Sequence, residues 1–399
     1  MNLHILMIPS WYRSPQFPLN GIFFREQAHV LRDAGYRMGV VAPGQYSVLV
    51  ARTLARSRYR TAVEDDAGIP TYSSYTCAFF PLVPYANTWG WLRSGHRLVE
   101  RYIADHGRPD LIHAQAAFQA GILAERIKRR WGVPYVLSEH SSMYLEGCVA
   151  FWKAPLVRRA LAGAAVRTAV SPRLGEALER RFGPAAAGCA WIPNMVDQRF
   201  FDAPLRSPRP AGGEFRFLHV SHFDPIKDQP HLLRAFAQRF RGDATVTLRI
   251  GGDGASRAAL ERLAADLGIA GQVRFLGLLP HDKVVDEMRS ADAFVLCSRF
   301  ETFSVVLAES LACGTPVLST ACGGPECIVD ASSGILVPPG DIAALADGMV
   351  RMRERAGAFD PRALRAGCAR RFSRDAVLAQ WRRVYDEAAR AAPAGKGAR

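Results

Sequence analysis

A chain of 399 residues is too long for one hydrophobic core of ordinary size, so two domains are expected. Hydrophobic residues at 49% and charged residues at 22% exclude a disordered chain, and no apolar run approaches the ~20 residues a spanning helix needs. The net charge of +14 is uneven. Residues 1–190 carry 23 basic against 13 acidic side chains, and residues 191–399 carry 28 against 24, so the first half points to an anionic partner: nucleic acid, a phosphorylated acceptor or an anionic bilayer.

The chain opens on a buried strand, Leu3 to Ile8, with no basic segment ahead of it, unlike a signal peptide. The eight cysteines lack the C-x2-C spacing of a metal site, and Cys322 and Cys327 only flank Gly323 to Glu326. Reduced thiols are expected, in a protein free on the cytoplasmic side or peripherally bound to the inner face of the plasma membrane. After the first strand come a Pro- and aromatic-rich loop, Pro9 to Asn20, then Gly21, a helix from Ile22 to Ala34 and a strand, Gly39 to Ala42. Gly21 sits where backbone approaches a ligand closely, or at a plain tight turn. Val48 to Arg60 is amphipathic, with Arg52, Arg56, Arg58 and Arg60 among apolar residues. Phe79 to Tyr85, Trp89 and Trp91 are densely aromatic. Such a mixture docks a membrane interface or forms a solvated helix face followed by core.

Strands Asp110–His113 and Tyr135–Ser138 flank a helix, Gln119 to Arg130. The second strand ends in Glu139-His140-Ser141, which places His140 at a carboxyl end, where ligand crevices form. Strand Arg167–Val170 leads into a helix capped by Ser171 with Pro172 in its first turn. Residues 198–213 read as a linker by composition, with Pro204, Pro208, Pro210 and Gly212-Gly213.

The second half restarts the β/α alternation. Strand Phe215–Val220 precedes Ser221-His222 and Lys227. Strand Val246–Ile250 precedes Gly251-Gly252-Asp253-Gly254, and Val273–Leu276, containing Arg274, is the next strand. An apolar run, Ala293 to Cys297, then enters a polar elbow, Ser298 to Ser304. A helix from about Phe303 to Cys313 follows and stops at Gly314. Glu301 lies in the elbow and Glu309 about two turns along the helix. Between them the amides of Thr302, Phe303, Ser304 and Val305 form a helix N-terminus suited to a phosphate. A solvated pair of glutamates at an ordinary helix start would look the same. The glycine loop lacks the third glycine of the dinucleotide fingerprint, which argues against a nicotinamide cofactor.

Gly21, His140, Lys227, the Gly251–Gly254 loop and Glu301 all follow strands. In parallel α/β sheets those ends share one edge. Together with Ala312-x-Gly314-x-Pro316-Val317, Gly323-Gly324 and Ile192-Pro193-Asn194-x-Val196-Asp197, the chain resembles the retaining glycosyltransferases of family 4. Its opening is similar to polysaccharide-building members. The resemblance covers nearly the whole chain. It implies an α/β fold of two Rossmann-like domains facing a central cleft, the GT-B fold. The domains expected are 1–197, linker 198–213, 214–373, and a final segment 374–399 whose helix crosses back to the first.

The resemblance also implies roles. Glu301 bonds donor-sugar hydroxyls and Glu309 the ribose. Lys227 and the amides of Thr302 to Val305 neutralise the leaving diphosphate. His140 and Gly21 meet donor sugar and phosphate, and Gly252 and the strand around Arg274 border the base. The implied substrate is a nucleoside-diphosphate sugar, with no required cofactor or metal, a glycan or lipid-linked acceptor, and no nucleic acid. The sequence departs from the family where Gly-Arg-Leu becomes Ser221-His222-Phe223, which puts His222 in the place of a diphosphate-gripping arginine. Ser304 replaces a glycine, and Asn194 is followed by Met195. A sugar-nucleotide epimerase of the same fold remains an alternative. A non-enzymatic sugar-, nucleotide- or nucleic-acid-binding protein would explain the basic half but not two carboxylates beside a phosphate-type helix start.

Overall fold

A computed structural model of the chain describes residues 3–14, 20–47, 61–78, 83, 85–205 and 213–391. The amphipathic stretch 48–60, most of 79–84 and part of the 198–213 segment lie outside them. The chain divides into two compact units, one of residues 1–192 and 378–399, the other of residues 193–377.

The first unit contains β1 (His4–Pro9), α1 (Ile22–Asp33), β2 (Arg37–Ser47), β3 (Ala62–Asp65), β4 (Pro70–Ala78), α2 (Ala86–His106), β5 (Leu111–Gln115), α3 (Ile122–Trp131), β6 (Tyr135–Glu139), α4 (Ala154–Gly163), β7 (Val166–Ala169), α5 (Pro172–Phe182) and β8 (Ala190–Trp191). The second contains α6 (Gln198–Asp202), β9 (Phe215–Val220), α7 (Gln229–Phe240), β10 (Val246–Gly251), α8 (Arg257–Asp266), β11 (Val273–Gly277), α9 (His281–Ser290), β12 (Ala293–Leu296), α10 (Val305–Ala312), β13 (Val317–Thr320), β14 (Gly334–Val337), α11 (Ile342–Arg355) and α12 (Pro361–Phe372). A last helix, α13 (Arg374–Arg390), begins in the second unit and from Leu378 on belongs to the first.

Strand order in the second unit is β11-β10-β9-β12-β13-β14, all parallel. That is the doubly wound dinucleotide-fold order, with its switch point between β9 and β12, where a ligand crevice opens at the carboxyl ends. The first unit has the order β3-β4-β2-β1-β5-β6-β7-β8, with β3 antiparallel at the edge and a switch point between β1 and β5. Central strands are covered on both faces by helices, so β1, β5, β6 and β12 are buried along their whole length. The helices supply matching stripes: Phe24, Gln27, Ala28 and Leu31 of α1 recur at helical spacing. In the final helix, Trp381 and Tyr385 pack against the buried His113 ring at 4.6 and 5.7 Å, and the Tyr385 hydroxyl bonds His113 Nδ1 at 2.9 Å.

Three local expectations need correction. The helix expected over 119–130 starts only at Ile122. Residues 117–121 form an irregular turn with Ala116 and Gln119 at φ 78 and 66. That turn is held open because Ser10 Oγ donates to the Phe118 carbonyl and Glu139 Oε2 accepts from the Ala117 amide. The helix expected from Phe303 begins at Val305, because Ser304 adopts a left-handed conformation, φ 80. The aromatic stretch around Trp89 and Trp91 opens the long helix α2. Its inner stripe of Trp91, Leu92, Gly95, Leu98, Val99 and Tyr102 is buried, while Trp89 faces out. Among the described residues no helix is long and apolar enough to cross a membrane. Among the described residues no disulfide links any of the cysteines.

Candidate functional site

In the second unit, the loops leaving β9 and β12 flank the switch point, and two ion pairs join them, Lys227–Glu301 and Arg299–Asp228. Lys227 Nζ donates to Glu301 Oε1 at 2.7 Å. The same oxygen accepts from Ser298 Oγ at 2.7 Å, and Glu301 is buried. The lysine end is fixed by a short 3-10 turn, Pro225–Lys227, capped by Asp224, and by the Arg299 amide donating to the Ile226 carbonyl at 2.8 Å. Asp228, left-handed at φ 54, accepts from Arg299 Nε at 3.0 Å and pairs with His231 at 2.6 Å. The glutamate end is backed by the loop after β13: the Glu301 amide donates to the Cys322 carbonyl and Thr320 Oγ1 to the Ser298 carbonyl.

Among the described residues, none accepts a backbone hydrogen bond from the amides of Thr302, Phe303 or Ser304. The Ser304 hydroxyl is buried without a partner, an expense that an absent acceptor or donor would relieve. Glu309 lies half-buried further along α10. These donors, Val305 opening the helix, and the Lys227–Glu301 pair form one cluster. Its electrostatics suit an anion beside a hydroxyl-rich group.

Gly252 is pressed against the β9 loop. Its φ is 129, and a Cβ there would stand 1.8 Å from the Ser221 carbonyl oxygen. Its amide donates to Gly277 O at 2.8 Å, while Phe223 N reaches Asp253 O at 3.1 Å. The loops after β9, β10 and β11 are thereby packed backbone to backbone. His222 is exposed on the β9 loop, its carbonyl accepting from Gln229 Nε2 at 2.9 Å. Arg274 is not brought to this group. It is exposed, and its charge acts on Glu214, which immediately precedes β9 at the sheet's opposite edge.

His219, beneath the β9 loop, is fully buried between the Val295 carbonyl (2.8 Å from Nδ1) and Ser221 Oγ (2.7 Å from Nε2). Burial pushes its pKa from 6.5 down to about 4. Between those values the unfolded chain holds a proton that the folded ring refuses. Stability therefore falls as pH drops through this window, by about 1.4 kcal/mol per pH unit from this group. Urea unfolding from about pH 7 to about pH 5 is expected to show a falling midpoint that His219→Gln flattens. Parallel wild-type and variant curves would refute the assignment.

In the first unit, His140 stands at the carboxyl end of β6. Its Nε2 is 2.7 Å from Gln115 Oε1, and Gln115 Nε2 donates to Gln27 Oε1 at 2.7 Å. Because the glutamine amide is committed to Gln27, the imidazole carries its hydrogen on Nε2. That leaves Nδ1 as a bare acceptor, buried and without a partner. Desolvation holds the ring neutral, with a pKa near 3. Phe23 and Phe24 frame it at 5.5 and 5.0 Å. The adjacent Glu139, fully buried, accepts from the amides of Ala117, His140 and Ser141, and burial raises its pKa to about 7. Gly21 caps α1 at φ 66, and a Cβ there would meet the Trp11 carbonyl at 2.6 Å. Glycine is needed for that approach.

Sequence reasoning missed Ser298, Asp228, Gln115 and Gln27. The one available signal was a polar residue ending an apolar run, as Ser298 does after Ala293–Cys297.

Comparison with known proteins agrees with this geometry. The family described as glycosyl transferases group 1 matches residues 203–356, and that described as glycosyl transferase 4-like domain matches residues 21–195. A D-inositol 3-phosphate glycosyltransferase of Frankia alni is 33% identical over 287 residues, 66% of this chain and 70% of that protein. Among solved structures, sucrose-phosphate synthase from Thermosynechococcus elongatus superposes with TM-score 0.75 at 21% identity, covering 96% of this chain and 98% of that one. Anabaena HepE in complex with UDP gives 0.74 at 19%, covering 96% and 100%. Matched in both halves, and similar to the inositol-phosphate enzyme over most of both proteins, the chain belongs to the family 4 glycosyltransferases of GT-B fold and is a sugar-transferring enzyme.

Proposed function

We propose that the enzyme moves a sugar from a nucleoside-diphosphate sugar to a hydroxyl of a glycan or lipid-linked acceptor, with retention of anomeric configuration, in the building of a cell-surface polysaccharide or glycolipid at an anionic membrane face. The observation carrying this reading is the Lys227–Glu301 bond across the switch point, beside a helix start whose first amides have no backbone acceptor among the described residues. Lys227 and the amides of Thr302 to Val305 take the charge that builds on the diphosphate as the anomeric C–O bond breaks. Glu301 turns to the sugar hydroxyls, Glu309 to the ribose diol, and Gly252 lets the β10 loop lie close under the nucleotide. His222, standing where the family resemblance implies an arginine, contacts the diphosphate without an arginine's bidentate fork. Within the first unit, the bare Nδ1 of His140 is suited to accept from a sugar hydroxyl, and the Gly21 turn to a close backbone approach by a phosphate. The acceptor oxygen bonds the anomeric carbon on the face the phosphate leaves, and its proton passes to the departing phosphate oxygen.

Supporting the nucleotide sugar as donor is HepE, solved with UDP. Binding is tested by thermal shift with UDP, GDP and ADP. The matching nucleotide at about a hundredfold its Kd adds about 2.7 kcal/mol of stability. A shift with single-stranded nucleic acid and with none of the three nucleotides would overturn the reading. Labelled nucleotide sugars then identify the donor.

A further inference from the structure

The first unit carries a feature the transfer site does not use. Between the outer faces of α2 and α3 lies a cavity of about 890 Å³. Five guanidiniums line it, those of Arg93, Arg97, Arg126, Arg129 and Arg130, against one carboxylate, Glu100. Glu100 is already spent on Arg130 at 2.7 Å. Arg129 pairs with Glu125 at 2.9 Å, a carboxylate it shares with Arg159. Arg93 and Arg97 are exposed on α2 and form no ion pair among the described residues. Arg126 lies over the Trp89 ring at 4.4 Å, and burial together with the charge of Arg129 lowers its pKa. So many cations in one concavity repel one another unless an outside anion enters.

The rim of the cavity says which anion. Trp89, in the first turn of α2, is 57% exposed. One turn earlier Tyr85 packs on Trp152 at 5.1 Å, and next to Trp152 stands Phe151, 84% exposed. Val83, two residues before Tyr85, is also exposed, and Lys153 sits over the Trp152 and Phe118 rings. Trp89 lines the basic cavity, and three more of the eight large exposed apolar side chains of the described residues, Val83, Tyr85 and Phe151, are linked to it along the chain or through the Tyr85–Trp152 contact. A soluble polyanion would satisfy the arginines and leave Phe151 and Trp89 in water. A bilayer surface satisfies both, with aromatic rings at headgroup depth and guanidiniums on phosphates. Backbone strain is concentrated in the same place, with Tyr85, Ala116 and Gln119 holding positive φ without being glycine.

We propose that the α2–α3 cavity is a headgroup site for anionic phospholipid, and that with Trp89, Tyr85 and Phe151 it forms the face by which the first unit docks on a membrane. This rests on the reading of an enzyme that works at an anionic bilayer and locates the contact. The geometry orients the docked unit with the carboxyl end of β5, the start of α2 and the 151–153 turn towards the lipid, where a lipid-linked acceptor would be presented.

The test is flotation of the full chain with phosphatidylcholine vesicles, with and without phosphatidylglycerol. The variants are Arg93→Glu/Arg97→Glu and Trp89→Ser/Phe151→Ser; all four side chains are exposed. Wild type is expected to float with the anionic vesicles only, and less at high salt. The arginine pair weakens this by at least about tenfold. The aromatic pair weakens it too, while both variants keep the wild-type thermal shift with nucleotide. That shift, measured without vesicles, separates failure of docking from failure of the donor site. Equal flotation of the arginine variant, equal flotation with neutral vesicles, or binding to soluble polyphosphate without flotation would each overturn the proposal.

Discussion

Lys227→Ala is expected to lower kcat/KM for sugar transfer by about 10²–10³-fold, the loss typical of removing one preorganised donor from a developing negative charge, or about 2.7–4 kcal/mol. The size follows from how the amine is held. Its backbone sits in a capped turn, tied to the Arg299 amide through Ile226, and the thiol of Cys297 donates to the Lys227 carbonyl at 3.1 Å. Little reorganisation is needed to turn the amine from Glu301 to a phosphate. Removing it also leaves the buried Glu301 carboxylate with Ser298 alone, so the free enzyme should lose about 1–3 kcal/mol of stability. Glu301→Gln should cost less stability, because the amide oxygen still accepts from Ser298, yet should cost transfer through the sugar hydroxyls. Since the two side chains touch at 2.7 Å, their effects should not add. Steady-state transfer with the identified donor, alongside urea unfolding, checks this. A double variant lacking both groups that still transferred sugar near the wild-type rate would remove the basis of the proposed mechanism.

The parts of this site legible in the sequence are those that sit on strand ends. Apolar runs such as Ala293–Cys297 mark buried parallel strands, and the next polar residues must then lie at the carboxyl edge. Lys227, Glu301 and His140 follow strand ends in this way. Arg274 lies inside a strand, where a residue number does not say which end of the sheet its side chain serves; its neighbour in charge is Glu214 at the other edge. Long-range hydrogen bonds were invisible. Nothing local in Gln27 or Gln115 announces that one fixes the other and so sets the tautomer of His140, across 88 and 25 positions of chain. The 117–121 turn illustrates tertiary override: Ala117 to Gly121 would suit a helix, but Ser10 and Glu139 take its backbone groups. In α2 the outward Trp89 and the buried Trp91 look alike in sequence, so membrane docking and core packing stay open there; only the stripe repeated to Tyr102 separates them.

Gly252→Ala is expected to be the most damaging single methyl in the second unit, costing about 3 kcal/mol or more and abolishing the thermal shift with nucleotide. Two costs combine. The backbone at φ 129 is one that side-chain-bearing residues rarely adopt, and the new Cβ would lie 1.8 Å from the Ser221 carbonyl oxygen and 3.0 Å from its carbon. Those atoms are backbone, so no rotamer change clears them. They are also pinned: the Ser221 amide donates to the Gly251 carbonyl at 3.1 Å, and Gly252 itself donates to Gly277. Relief therefore requires the β9 and β10 loops to part. The β9 loop carries His222 and Lys227, so the displacement reaches the proposed phosphate site directly. Gly340 supplies the control. Its φ is 75, and a Cβ there would meet nothing within 4 Å, so Gly340→Ala should show only the conformational penalty of about 1 kcal/mol and an unchanged nucleotide shift. If the two variants unfolded at the same urea concentration and bound nucleotide alike, close packing of the β9 and β10 loops would not be what holds Lys227 in place.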